Sequence, residues 1–342
     1  MKRQGTFPFT AIIGQEIMKK ALVLNVVNPR LGGVLIQGEK GTAKSTAVRA
    51  LADMLPARQC VKGCRFHDDP ADPANWCDEC HERYDREAPD IEMLPMKVVE
   101  LPVSATEDRV VGTLDIEAAI RAGKKSFDTG ILADANRNIL YVDEINLLED
   151  HVVDVLLDSA AMGINTVERE GISYSHPARF SLVGTMNPEE GDIRPQLLDR
   201  FALSVKVTGE QNPEQRAEII KRRLAYEADP DRFLSSWKEE QEKEVHRIER
   251  AMNLLPQVTV SGDLLLLAAR ISITLGVDGH RADITLIKTA ETIAALEGRT
   301  EVTREDIREA SRLALPHRMR RRPFEEQVLD FSEVDKVIDD EA

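Results

Sequence analysis

The chain of 342 residues is short of positive charge, holds few cysteines and has no apolar run of membrane-spanning length. The missing apolar run excludes a helical transmembrane protein. Its opening, MKRQGTFPFTAII, lacks the uninterrupted apolar core of a signal peptide, so a soluble, cytoplasmic protein is expected. With 45 basic against 60 acidic side chains the net charge is −15, which argues against a generic binder of the nucleic-acid backbone. In a reducing cytosol the 4 cysteines are not expected to form disulfides. What is present, 42% hydrophobic and 31% charged residues, is an ordinary globular composition, long enough for about two domains.

Residues 38–45 read GEKGTAKS. This departs from the phosphate-binding pattern G-x-x-x-x-G-K-[ST] at one place, where Ala43 stands for the glycine before Lys44. The apolar stretch Gly33 to Gln37 reads as a buried strand, and Ser45 to Ala52 has helical composition. Strand, loop and helix is the setting in which backbone N–H groups and a helix N-terminus cradle phosphates. Lys44 then acts as a point charge and Ser45 as a ligand of Mg²⁺. Alanine still supplies its N–H, while Gly41 remains to take the tightest bend.

A second strand, NILYV, ends in Asp143 and Glu144. One carboxylate suits Mg²⁺ and the next suits a water-activating base. A third strand, FSLVGTM, delivers Asn187, and RPQLLDRF ends a short helix in Asp199 and Arg200.

In this order of lysine, carboxylates, asparagine and arginine the chain resembles the AAA+ ATPases. IIGQE is similar to the segment of that family that packs on adenine, which assigns Ile13 and Gly14 to the nucleotide, and GHRADITLIKTA places Arg281 at the sensor 2 position. FPFTAIIGQ, GTMNPEEG, LLDRF and LPHRMRRRPFEE together resemble the ATPase (I) subunit of magnesium chelatase. The resemblance implies an α/β fold with a five-stranded parallel sheet, an all-helical lid and a ring of six copies. The ATP-binding core is expected over 1–208 and the lid, with an acidic tail, over 209–342. Amphipathic runs such as PEQRAEIIKRRLAYEA support a helical end, and Thr303 to Asp306 resembles a capping box. A helix 2 insertion is implied at about 104–136. A hairpin before sensor 1, turning at Glu170-Gly171, is implied as well, and both are candidate partner contacts.

Cys60, Cys64, Cys77 and Cys80 form two close pairs around a loop rich in Asp, Pro and Asn, within an insert at about 58–82. This spacing suits structural Zn²⁺, with an iron-sulfur cluster, a redox pair or merely packed thiols as alternatives. His67 and His81 are read as bystanders.

The resemblance implies ATP hydrolysis between subunits. Gly38, Gly41, Lys44, Ser45 and Thr46 hold the nucleotide, Asp143 holds its Mg²⁺, Glu144 is the base, Asn187 aligns water and Arg281 reads the γ-phosphate. Arg200 comes from the neighbour. The implied partners are an adaptor subunit with a metal-dependent adhesion domain and a large porphyrin-binding subunit, the product being protoporphyrin IX carrying Mg²⁺. Neither nucleic acid nor membrane is an expected partner. A motor for cobalt insertion into a corrinoid precursor, a MoxR-like chaperone and a helicase remain as other readings.

Overall fold

The computed structural model describes residues 5–39, 41–84, 87–115, 126–169, 172–277, 279–319 and 331–339. Eleven strands occur among them: β1 (Val34–Gly38), β2 (Arg58–Val61), β3 (Ile91–Leu94), β4 (Val98–Leu101), β5 (Gly112–Asp115), β6 (Ser126–Thr129), β7 (Ile139–Val142), β8 (Ile164–Arg169), β9 (Ile172–Pro177), β10 (Ser181–Met186) and β11 (Leu203–Val207). Five of them form one parallel sheet in the order β11-β1-β10-β7-β4. Two of its three inner strands, β7 and β10, are buried at every position, as a parallel sheet covered on both faces requires.

The two-residue period of a strand divides these side chains between two cores. Val34, Ile36, Tyr141, Val183 and Val205 face one core, shared with the helices Glu16–Val27 and Lys44–Met54 and with the helices of the C-terminal part. Leu35, Leu140, Val142 and Leu182 face the other, shared with the helix Asp150–Met162 and with residues of the insertions.

β11 ends at Val207, and from Pro213 onward the described regular structure is helical. The helix Arg281–Leu296 buries Leu286, Ala290, Ile293 and Leu296, whereas Ile284, apolar and at helical spacing from them, is 55% exposed. Thr303 and Asp306 cap the helix Arg304–Ala314 reciprocally, and Arg299 pairs with the same Asp306 carboxylate at 2.6 Å. The N-terminal arm ties these helices to the sheet domain. Phe7 packs against Tyr226 and Phe233, and Thr10 donates to Gln241.

Three antiparallel ribbons project from this frame: β2 with β3, β5 with β6, and β8 with β9. The first closes the cysteine loop, so that excursion extends to Leu94 rather than ending near 82. The β5/β6 ribbon occupies the place of the expected helix 2 insertion. The Glu170-Gly171 turn, the Arg320 to Arg322 cluster and the last residues of the acidic tail lie outside the described residues.

Candidate functional site

At the carboxyl ends of β1, β7 and β10 lies a cavity of about 520 Å³. The backbone sets its floor. Gly41 takes φ +84°, and a Cβ on Gly38 would come within 2.1 Å of the Val207 carbonyl oxygen. Ala43 is left-handed at φ 60°, ψ 19°, immediately before the helix Lys44–Met54. The loop therefore reaches the required conformation with alanine, at a cost of roughly 1–2 kcal/mol for an L-residue in that region.

Ile13, Gly41, Lys44, Ser45, Thr46, Asp143, Glu144 and Asn187 all line this cavity. Gly38 and Gly14 stand just behind it. The Gly38 carbonyl accepts from the Lys44 ammonium, and Gly14 is left-handed at φ 67°, beside Glu210. Asp143 accepts from the Tyr141 hydroxyl at 2.9 Å and from the Thr185 hydroxyl at 2.6 Å. Burial, with Asp143 adjacent, pushes the Tyr141 phenol well above its ordinary range, so it remains a proton donor. The Glu144 backbone N–H donates to Thr185 Oγ1 at 3.2 Å, and Glu144 itself is left-handed at φ 53°. Such a φ on a bulky residue marks a position over-determined by its surroundings. Asn187 accepts from the Glu189 N–H, which fixes the side-chain amide at the end of β10.

Thr185 and Tyr141 escaped the sequence reading. Each stands two residues before an expected site residue on the same strand, and strand alternation puts positions i and i+2 on one face. Arg222 and Arg223 also line the cavity, and Arg222 donates to the Ala11 carbonyl at 3.0 Å. Their only sequence signal was the basic face of an amphipathic helix.

Arg200 and Arg281 lie elsewhere. Arg200 precedes β11, which runs parallel to β1, so it sits at the opposite end of the sheet from the Lys44 loop. Five residues of strand at about 3.3 Å each separate those ends by roughly 15 Å. There Arg200 pairs with Asp154 and Asp158, both at 2.8 Å. Arg281 pairs with Asp199 at 3.2 Å. Arg281 is not among the residues lining the Lys44 cavity of its own chain: its helix packs against the helices Glu16–Val27 and Arg304–Ala314, and its guanidinium joins the Arg200 side.

The structure gathers three of the four cysteines and separates Cys60 from them. Cys64, Cys77 and Cys80 converge with Asp68, whereas the Cys60 thiol accepts from Arg137 at 3.6 Å. Cys60, on β2, instead neighbours Arg58 and Arg137. His67 and His81 are not members of the converging group.

Among the described residues, no helix is long and apolar enough to cross a membrane. The family described as magnesium chelatase, subunit ChlI, matches residues 113–196, and the AAA lid domain matches residues 266–340. The chain is 55% identical to the magnesium-chelatase subunit ChlI homolog of Methanocaldococcus jannaschii, covering 99% of this chain and 93% of that protein. Identity with magnesium-chelatase subunit ChlI of Synechocystis sp. is 50%, over 98% and 94% of the two chains. Among solved structures, one from a complex of magnesium-chelatase subunits BchI and BchD matches with a TM-score of 0.56 at 47% identity, covering 93% of this chain and 98% of that one. A putative ATPase from Cytophaga hutchinsonii, 18% identical over 97% and 91% of the two chains, shares the fold with a TM-score of 0.62.

Proposed function

The chain belongs to the ChlI family of magnesium-chelatase subunits, and from that premise we propose that it is an AAA+ motor hydrolysing ATP at sites shared between adjacent copies. The observation that carries this reading is the division of the catalytic set between the two ends of the sheet. Lys44, Asp143, Glu144 and Asn187 stand at one end; Arg200 and Arg281 stand at the other. A single chain cannot bring both sets to one phosphate. A closed ring, with six copies as the family resemblance implies, brings one copy's arginines to the next copy's cavity.

The residues fit MgATP. The loop offers backbone N–H groups and a lysine for phosphate, and Ser45 and Asp143 offer the oxygen ligands that Mg²⁺ prefers. MgATP supplies the phosphoanhydride bond to be broken and a metal charge that offsets charge on the phosphoryl oxygens. Thr185 holds Asp143 and the Glu144 backbone in fixed relation. Glu144 accepts a proton from the attacking water, which Asn187 orients. Ile13, with Gly14 behind it, packs on the base. Arg200 of one copy, with Arg281 beside it, offsets charge on the phosphoryl group held by the next.

Hydrolysis in this ring drives Mg²⁺ insertion into protoporphyrin IX held by a large partner subunit, coupled through an adaptor resembling the BchD of the related complex. The β5/β6 and β8/β9 ribbons are the contacts offered to those partners. The cysteine loop takes no part in hydrolysis and serves structure. Reconstitution with adaptor and large subunits should yield ATP-dependent formation of magnesium protoporphyrin, followed by its fluorescence. Glu144→Gln should retain nucleotide binding and lose both turnover and insertion. ATP turnover that no large subunit couples to Mg²⁺ insertion would overturn the chelatase assignment and favour the cobalt or MoxR-like readings.

A further inference from the structure

Among its described residues the loop between β2 and β3 has little regular structure, a 3₁₀ turn at Pro73–Asn75 and the short helix Asp78–Arg83. Something other than secondary structure must fix its path. Within it, Cys64 Sγ, Cys77 Sγ, Cys80 Sγ and an Asp68 carboxylate oxygen all lie within 4.8 Å of one another, with Cys64 and Cys77 sulfurs 3.9 Å apart. Zinc–thiolate bonds of about 2.3 Å in a tetrahedron put neighbouring ligands roughly 3.8 Å apart.

The carboxylate is the second, independent observation. Asp68 is 2% exposed. Its Oδ2 accepts from the Cys77 N–H at 2.7 Å, while Oδ1 has no hydrogen-bond partner. A buried acceptor left unsatisfied is costly, and a buried carboxylate more so. Two of the surrounding guanidiniums, Arg65 and Arg137, are engaged elsewhere, and the third, Arg58, neighbours Cys60. Arg65 pairs with Glu79 and donates to the Phe127 carbonyl. Arg137 pairs with Asp69, and Arg58 donates to Asn138. Three thiols and a carboxylate therefore meet without an ion pair to Asp68 among the described residues.

The donor chemistry selects the ion. Calcium and magnesium take oxygen ligands, and iron-sulfur clusters are held by four thiolates, or two with two histidines. Zinc accepts Cys and Asp together in a closed four-coordinate site.

We propose that Cys64, Asp68, Cys77 and Cys80 bind one zinc ion, with Cys60 outside the ligand set, and that this ion braces the two partner-facing ribbons. The bracing follows from what the loop touches. Phe66, two residues beyond Cys64, is fully buried and stacks on His176 of β9 at 4.6 Å between ring centroids. Phe127 of β6 stacks on Tyr174 of β9 at 4.4 Å, and Arg65 donates to the Phe127 carbonyl at 2.9 Å. The segment beginning at Cys64 is thus wedged against both ribbons, and no described residue of the loop lines the Lys44 cavity.

The test is elemental analysis of the full chain, purified without chelator and then reloaded with zinc. One zinc per chain is expected. Cys60→Ser should keep it, and Cys77→Ser with Cys80→Ser should lose it. Asp68→Asn should release it to a competing chelator more than about tenfold more readily, in line with the weakening seen when metal-site partners are altered. Should the variants fail to fold, the unmodified chain still decides: cobalt in place of zinc should show the visible spectrum of a tetrahedral thiolate site. Removal of zinc should also speed hydrogen exchange in β5, β6, β8 and β9 by about tenfold or more while leaving 41–46 unchanged, because local opening reports local stability. Overturning results are loss of zinc in Cys60→Ser with full retention in Asp68→Asn, iron with visible absorbance, no metal after reloading, or a Cys64–Cys77 disulfide. Unchanged exchange in the ribbons overturns the brace.

Discussion

The guanidinium of Arg318 donates to both the carbonyl and the carboxylate of Asp199, at 2.8 and 3.1 Å, one residue before Arg200. It also donates to the carbonyls of Phe201, Ala202 and Ala314. Burial lowers the Arg318 pKa to about 10, so it stays charged at neutral pH. A fork of donors locked onto this turn fixes the residue preceding Arg200, which the proposed shared site needs in place. Arg318→Ala should lower stability by about 1–3 kcal/mol through the orphaned carbonyls, read by urea unfolding. It should also reduce ATP turnover of the assembled protein while leaving nucleotide affinity of the cavity intact. Arg318→Lys should recover charge but not the fork, and so only part of either loss.

Ala43 supplies the next expectation. At φ 60° a glycine avoids the steric cost that alanine bears. Ala43→Gly should therefore stabilise the chain by up to about 1 kcal/mol, with ATP affinity within about tenfold of the parent, since both residues present the same N–H. A calorimetric titration with loss of ATP binding would show that the loop geometry depends on the methyl group.

Thr185 bridges the two carboxylate residues, donating to Asp143 and accepting from the Glu144 N–H. Thr185→Val keeps the shape and removes both bonds. Turnover should fall by at least about tenfold, as losses of about 1.4 kcal/mol or more in positioning imply, with nucleotide affinity little changed. Thr185→Ser should restore most of the rate. A serine variant as impaired as valine would assign the effect to packing.

His317 gives the fold a pH dependence. Its Nε2 lies 2.8 Å from the Phe201 carbonyl, and burial, with Arg318 adjacent, lowers its pKa to about 3. The unfolded chain then binds a proton that the folded chain refuses between its ordinary value of about 6.5 and about 3. Stability is full above the unfolded value and is lost as pH falls through that window. His317→Gln should flatten part of that slope in thermal midpoints measured from pH 7 to 4. Identical slopes would place the acid sensitivity in carboxylates such as Asp306, whose pairing with Arg299 depresses its pKa against the effect of burial.

The gathering of Lys44, Asp143, Glu144 and Asn187 around one cavity, like the cap of the helix Arg304–Ala314, was legible because its signals are local. GEKGTAKS, the Asp143-Glu144 strand end and the capping box at Thr303 each lie within one turn or one strand junction, where chemistry and spacing speak together. The placement of Arg281 was not legible, because it depends on which face of the sheet domain the C-terminal helices cover. Ile284 shows the same limit: the helical period gives a wide apolar face, but only the packing partners decide where its margin falls. Asp68 was hidden for a different reason. Four cysteines satisfy zinc by count alone, and only the packing shows that Cys60 lies beside Arg137 while Asp68 joins the other three. Thr185 was within reach by strand alternation from Asn187.

Arg200 carries the last expectation, and it tests the shared site directly. In the isolated chain it rests on Asp154 and Asp158, with its side chain 30% exposed. Partly exposed ion pairs of this kind are worth about 0–1 kcal/mol, so a transferring phosphoryl group can draw the guanidinium away. An arginine supplied to such a group typically contributes about 10³ to 10⁵ in rate. Arg200→Ala should bind ATP almost normally and fail to hydrolyse it, whereas Lys44→Ala fails because its own cradle is broken. In a mixed assembly, an Arg200→Ala copy keeps a sound Lys44 and receives Arg200 from a Lys44→Ala neighbour. Two inactive proteins should therefore recover part of the activity on mixing, measured as phosphate release. If Arg200 only ties β11 to the helix Asp150–Met162, mixing restores nothing, and dilution to single chains leaves specific activity unchanged. Either outcome, with subunit exchange demonstrated by labelled copies, removes the division of the site between chains and the need for a ring.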